Sequence, residues 1–138
     1  MTELAKQRPE FRNIHAFKDL PTYRLPAAGW VSILHRVSGV LMFVLLPLIL
    51  WIFDLSVSSE ISSRRLGQAF ATGPMGLVLK LAALALIWAY LHHVIAGVRH
   101  LWMDATHAVT KEFGRNSALA TLVLSVLLTL VLGYKLFF

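Results

Sequence analysis

Three long apolar stretches, at about residues 26–53, 75–101 and 118–138, decide most of what this chain can become. Each is too long for a single β-strand and too evenly apolar for a solvated helix. No water in a bilayer core satisfies a bare peptide group, so a lone crossing segment must close its own hydrogen bonds as an α-helix. The shortest stretch would rise about 31 Å and the first about 42 Å, so each can cross a hydrocarbon core of roughly 30 Å. The predicted fold class is an all-α membrane protein, with three transmembrane helices forming part of a heteromeric helix bundle. Composition agrees: 57% of residues are hydrophobic and 14% charged, against roughly 25% charged in soluble domains. The 138 residues leave no room for a separate soluble catalytic domain. The predicted organisation is an N-terminal arm over 1–25 and a three-helix transmembrane domain over 26–138.

The arm is polar and of mixed charge, broken by Pro9 and Pro21, with Phe11, Phe17 and Tyr23 set for interfacial anchoring or for docking to a soluble partner. The first apolar stretch follows it, exceeds a signal-peptide core and lacks a small-residue cleavage site, so it reads as an uncleaved anchor. Residues 54–74 and 104–116 read as polar connections. The net charge of +6 is the flanking charge that orients membrane spans, which accounts for it without nucleic acid. Lys6, Arg8, Arg12, Lys18, Arg24 and Arg36 fall on one side, with Arg99, Lys111 and Arg115; Arg64, Arg65, Lys80 and Lys135 fall on the other. This asymmetry predicts a cytoplasmic N-terminus and an external C-terminus. The absence of cysteine excludes disulfides, cysteine-ligated iron–sulfur clusters and c-type haem from this chain. Redox chemistry here would need a histidine-held or borrowed cofactor.

Polar residues break the apolar pattern in two places. In the first stretch the run is Ser32-Ile33-Leu34-His35-Arg36-Val37-Ser38-Gly39; Ser32 and Arg36 share a helix face at i, i+4. In the second it is His92-His93-Val94-Ile95-Ala96-Gly97-Val98-Arg99-His100, with Asp104 one turn on. At 100° per residue, His93, Gly97, His100 and Asp104 fall at about 0°, 40°, −20° and 20°, while His92 and Arg99 lie on another face. Polar side chains at membrane depth are costly and mark a partner, a cavity or a cofactor. Glycine one turn from His93 leaves a gap where something flat could lie against the helix. Counted from mid-span, His93 lies about 7 Å toward the cytoplasm, His35 about 12 Å and His100 about 18 Å. From helix geometry alone, iron ligation and a cross-helix hydrogen bond are both open to His93. In the third stretch Thr121, Ser125 and Thr129 form the small-polar stripe of a helix–helix contact.

The two polar motifs, Ser32-Ile-Leu-His35-Arg36-Val-Ser-Gly39 and His93-x3-Gly97-x-Arg99-His100-x3-Asp104, closely resemble those of the cytochrome b large-anchor subunit of succinate dehydrogenase, respiratory complex II. The resemblance spans all three apolar stretches in order. Arg8-Pro9 and Tyr23-Arg24-Leu25-Pro26 resemble that family's N-terminal arm, while the stretch between them departs from its Ser-Pro-His pattern. By position, the resemblance implies that His93 is an axial ligand of haem b iron. It further implies that Ser32, Ile33 and Arg36 line a ubiquinone site, and that His35 and Arg36 lie near the haem propionates. The haem would be shared with a smaller membrane-anchor subunit, and an iron–sulfur subunit and a flavoprotein subunit would complete the complex in a bacterial inner membrane. Succinate would be oxidised on the flavoprotein, not on this chain. A fumarate reductase anchor, or a non-redox membrane scaffold whose histidines only bond across helices, are the alternative readings.

Overall fold

The computed structural model describes residues 15–19, 22–71 and 73–138, all organised as helices and short connections. Most of the predicted arm, including Arg8, Pro9 and Phe11, lies outside the described residues. Within the arm, α1 (Ala16–Asp19) is a single turn, and Phe17 and Tyr23 are exposed.

Three long helices follow. They are α2 (Ala27–Ser58), α4 (Gly73–Thr106) and α5 (Lys111–Phe137), each long and apolar enough to cross a membrane. At 1.5 Å per residue they measure about 48, 51 and 40 Å, so each extends beyond a bilayer core of roughly 30 Å. α2 runs through Pro47 as one helix. The missing amide of that proline is tolerable in a spanning helix because neighbouring groups can satisfy the freed carbonyl.

The expectation of a polar loop over 54–74 is overturned. α2 continues to Ser58 and, after a single break, α3 (Glu60–Ala71) forms. Its start is a reciprocal cap. The Ser62 amide donates to Ser59 Oγ at 3.1 Å, and the Ser59 amide donates to Ser62 Oγ at 3.2 Å, the exchange that satisfies orphan amides at a helix N-terminus. Glu60 sits in the first turn, suited to the helix dipole, and pairs with Arg64 at 2.6 Å. Gly73, with φ of 77°, lets the chain turn into α4 through a left-handed conformation that side chains resist. Gly76 is buried where a Cβ would lie 3.1 Å from the Phe70 carbonyl oxygen, so α3 and the start of α4 pack backbone to backbone.

The connection between α4 and α5 is shorter than 104–116, only residues 107–110. His107 takes φ of 52°, and Thr110 caps α5 by accepting the Phe113 amide at 3.2 Å. So short a link makes α4 and α5 antiparallel neighbours. α4 is central, packed against α2, α3 and α5. Its crossing with α5 is built from small residues: Ala89 and Ala96 on one side; Ala118, Thr121, Ser125, Thr129 and Gly133 on the other, all buried. Small side chains let helix backbones approach closely where lipid gives no hydrophobic drive for association. Large apolar residues such as Phe43, Trp51, Leu101 and Leu130 point outward, the inverse of a soluble core.

Candidate functional site

The two polar motifs meet where α2 crosses α4. The His35 and His93 imidazoles stack with centroids 4.1 Å apart and planes 15° from parallel; the His100 ring lies 5.4 Å from His35. His35 thus sits between His93 and His100, the order that helix rise predicts. Glycines allow this fit. A Cβ on Gly39 would lie 3.0 Å from His93 Cε1, and one on Gly97 would lie 3.6 Å from His35 Nε2. The gap expected at Gly97 is filled from within the chain, by the His35 ring.

His93 Nδ1 lies 3.0 Å from the His35 carbonyl oxygen and 3.3 Å from Ser38 Oγ. Ser38 directs its own proton to the His35 carbonyl at 2.8 Å, so both oxygens are acceptors toward Nδ1. That assigns the proton to Nδ1 and leaves the Nε2 lone pair bare. Among the described residues, Nε2 has no hydrogen-bond partner. A histidine held in this tautomer by a backbone carbonyl presents its other nitrogen as a metal ligand commonly does. Ser38 is fully buried; it and Gly39 belong to the polar run read from sequence, which assigned neither a role. The signal available for both was the Ser-Gly pair one turn beyond His35.

On the side of the ring pair away from His100, α2 and α4, with Phe70 of α3 and Leu132 of α5, line an open apolar groove of about 610 Å³. Met42, Leu46, Leu86, Ile87 and Tyr90 are among its walls. Polar imidazoles therefore stand at one end and hydrocarbon at the other. The groove begins within a turn of both Gly39 and His93, and suits a flat group with one apolar and one polar edge.

Ser32, Ile33 and Arg36 lie on α2 just toward its N-terminus. Ser32 is half-buried, and Ile33 and Arg36 are exposed. Among the described residues none of the three makes a side-chain hydrogen bond, and they do not enter the His35–His93 stack. They form instead a neighbouring outward patch holding a hydroxyl and a cation. His100 and Asp104, which share a face of α4, form no hydrogen bond or ion pair with each other.

The other face of α4 carries polar contacts with α5. His92 is fully buried; its Nδ1 lies 3.2 Å from Ser125 Oγ, and its ring stacks on Trp88 at 5.5 Å. Arg99 donates from Nε to Ser117 Oγ at 2.9 Å and from Nη2 to the Gly114 carbonyl at 3.1 Å. The stripe expected at Thr121, Ser125 and Thr129 is buried here as predicted.

Residues 6–132 match the profile of the succinate dehydrogenase/fumarate reductase transmembrane subunit. Curated relatives agree. The succinate dehydrogenase cytochrome b556 subunit of Coxiella burnetii is 31% identical over 115 residues, covering 83% of this chain and 90% of that one. The subunit of the same name from Paracoccus denitrificans is 33% identical over 118 residues, covering 81% and 83%. That from Rickettsia felis is 26% identical over 113 residues, covering 82% and 85%. With three spanning helices in order and both polar motifs inside the matched region, this chain belongs to the family of succinate dehydrogenase/fumarate reductase transmembrane subunits, as a membrane-anchor subunit of an oxidoreductase complex.

Proposed function

We propose that this chain anchors the soluble subunits of a succinate:quinone oxidoreductase, supplies one axial ligand to a shared b-type haem through His93, and lines the quinone-reduction site with Ser32, Ile33 and Arg36. The observation that carries the reading is the tie from His93 Nδ1 to the His35 carbonyl, which leaves Nε2 available. The cytochrome b556 name of the relatives supports the choice of haem.

The site's own residues divide the work. Helix α2 orients His93 by accepting its Nδ1 proton, and Gly39 makes room for the ring. The apolar groove excludes water from one edge of the site. At the opposite edge, His35 and Arg36 offer donors to carboxylates such as propionates. When bound, the haem supplies a one-electron carrier within the membrane. The family resemblance implies that a second haem ligand would come from the smaller anchor subunit.

Quinone reduction needs stabilisation of negative charge growing on a carbonyl oxygen, then protons. A hydroxyl and a guanidinium one turn apart supply donors in a low-dielectric setting, where electrostatic stabilisation is largest. Arginine stays charged there, as lysine need not. Succinate oxidation belongs to a flavoprotein subunit, with electrons arriving through an iron–sulfur subunit docked at the cytoplasmic face of a bacterial inner membrane.

The test is His93→Leu in the assembled complex, read by a reduced-minus-oxidised spectrum. The expected result is loss or a strong shift of the haem bands with assembly retained. Native bands at full occupancy would refute the assignment.

A further inference from the structure

The polar contacts on the α5 side of α4 have no part in the site described above, yet they alternate with it along the helix. His92 precedes His93, and Arg99 precedes His100. His92 and Arg99 are seven residues apart, about 10.5 Å along the axis and about 20° apart around it. They therefore grip α5 along one line, while the next residue in each case faces α2. The bonding partners on α5 are oxygens whose own protons turn inward: Ser125 Oγ donates to the Leu122 carbonyl at 3.0 Å and Ser117 Oγ toward the Gly114 carbonyl at 3.5 Å. Each serine is thus an acceptor for α4. His92 and Arg99 are also among the few polar side chains buried in the bundle.

We propose that His92 and Arg99, held by Ser125, Ser117 and the Gly114 carbonyl, form a rotational lock that sets the azimuth of α4 and so positions His93. They are positioning residues, since neither touches the α2-facing ring stack. The physical need is specific to lipid. Crossings made of alanine, glycine and methyl groups, such as Ala96 against Ala118, resist separation but offer little resistance to rolling. Two directional polar contacts spaced along the axis do resist it, because rolling would strand buried donors without water to replace the lost bond. A roll of 20° would carry a side-chain tip 5–6 Å from the axis through about 2 Å. Displacement of that size breaks a coordination geometry that tolerates roughly 0.5 Å.

This inference rests on the reading of His93 as a haem ligand, and the experiment separates the two. In the purified, assembled complex, Ser117→Ala and Ser125→Ala are made singly and together, with Arg99→Lys as the conservative partner. Low-temperature electron paramagnetic resonance of the oxidised haem reads the mutual orientation of its two axial rings, and a thermal melt of the complex is recorded beside it. The expected result is a shifted and broadened low-field line in the double variant, a smaller shift in each single variant and an intermediate one in Arg99→Lys. A lowered melting temperature with the wild-type line position and width in all of them would overturn the lock and leave these residues a purely structural role. Where the double variant does not assemble, the single variants decide by the same criterion. Native haem retained in His93→Leu refutes the ligand reading instead, whatever the serine variants show.

Discussion

Among single residues, Arg36 carries the sharpest prediction. It is exposed on α2 at membrane depth with no described side-chain partner, and Ser32 lies one turn behind it. A charged hydrogen bond to a reacting carbonyl is worth roughly 1.5–3 kcal/mol, so Arg36→Leu should lower quinone reduction about tenfold to a hundredfold. Succinate oxidation measured with a soluble artificial acceptor should stay near wild type. Unchanged quinone-reductase kinetics in the assembled variant would remove Arg36 from the site. The sequence made His93, His35 and Arg36 visible because charge and imidazole stand out against leucine and valine. Ser38 and Gly39 were not legible as the partners of His93, since a serine and a glycine in a spanning helix have many ordinary uses. Their role depends on which turn of α2 faces α4, and helix periodicity within one segment does not set that.

Between elements, the closeness of α4 and α5 sets what can be changed. A Cβ on Gly133 would lie 2.8 Å from Leu84 Cδ1. The Leu84 terminus could swing aside for a methyl group, but a branched side chain would have to push the helices apart. Overpacking of this kind costs typically about 1–3 kcal/mol. Gly133→Leu should therefore lower the melting temperature of the assembled complex by several degrees while Gly133→Ala changes it little; equal stability of Gly133→Leu and wild type would show that the crossing is looser than these contacts imply. The long helices were legible because hydropathy alone forces them. α3 was not, because its twelve residues hold two serines, two arginines and a glycine between a few apolar positions, too short for a clear period. The Ser59–Ser62 cap and Glu60 were its available signals.

For the whole molecule, the outward display of large apolar side chains means that lipid and partner subunits complete the packing this chain leaves open. The uneven distribution of lysine and arginine supports the proposal of a cytoplasmic N-terminus. A reporter active only outside the cytoplasm should be active when fused after Phe138; its silence there, with activity from a cytoplasm-only reporter at the same position, would invert the depths assigned to His35, His93 and His100. The fold class was readable from three apolar stretches. The pairing of α2, α4 and α5 was not, because near-uniform apolar faces give each helix several equivalent ways to meet the next.

The four-residue link between α4 and α5 also bears on biogenesis. When α4 has left the ribosome and α5 has not, the Arg99 guanidinium and the His92 imidazole face lipid with their acceptors still unsynthesised. Charged and polar groups in that state are held back from the hydrocarbon. The polypeptide that first satisfies them is the hairpin from Gly73 to Phe137, and with only residues 107–110 between its arms the second arm is never far from the first. His93 has to wait for no later segment, because α2 and the His35 carbonyl precede it in the chain. Synthesis from N- to C-terminus thus prepares the α2 side of the site first and fixes its rotation last.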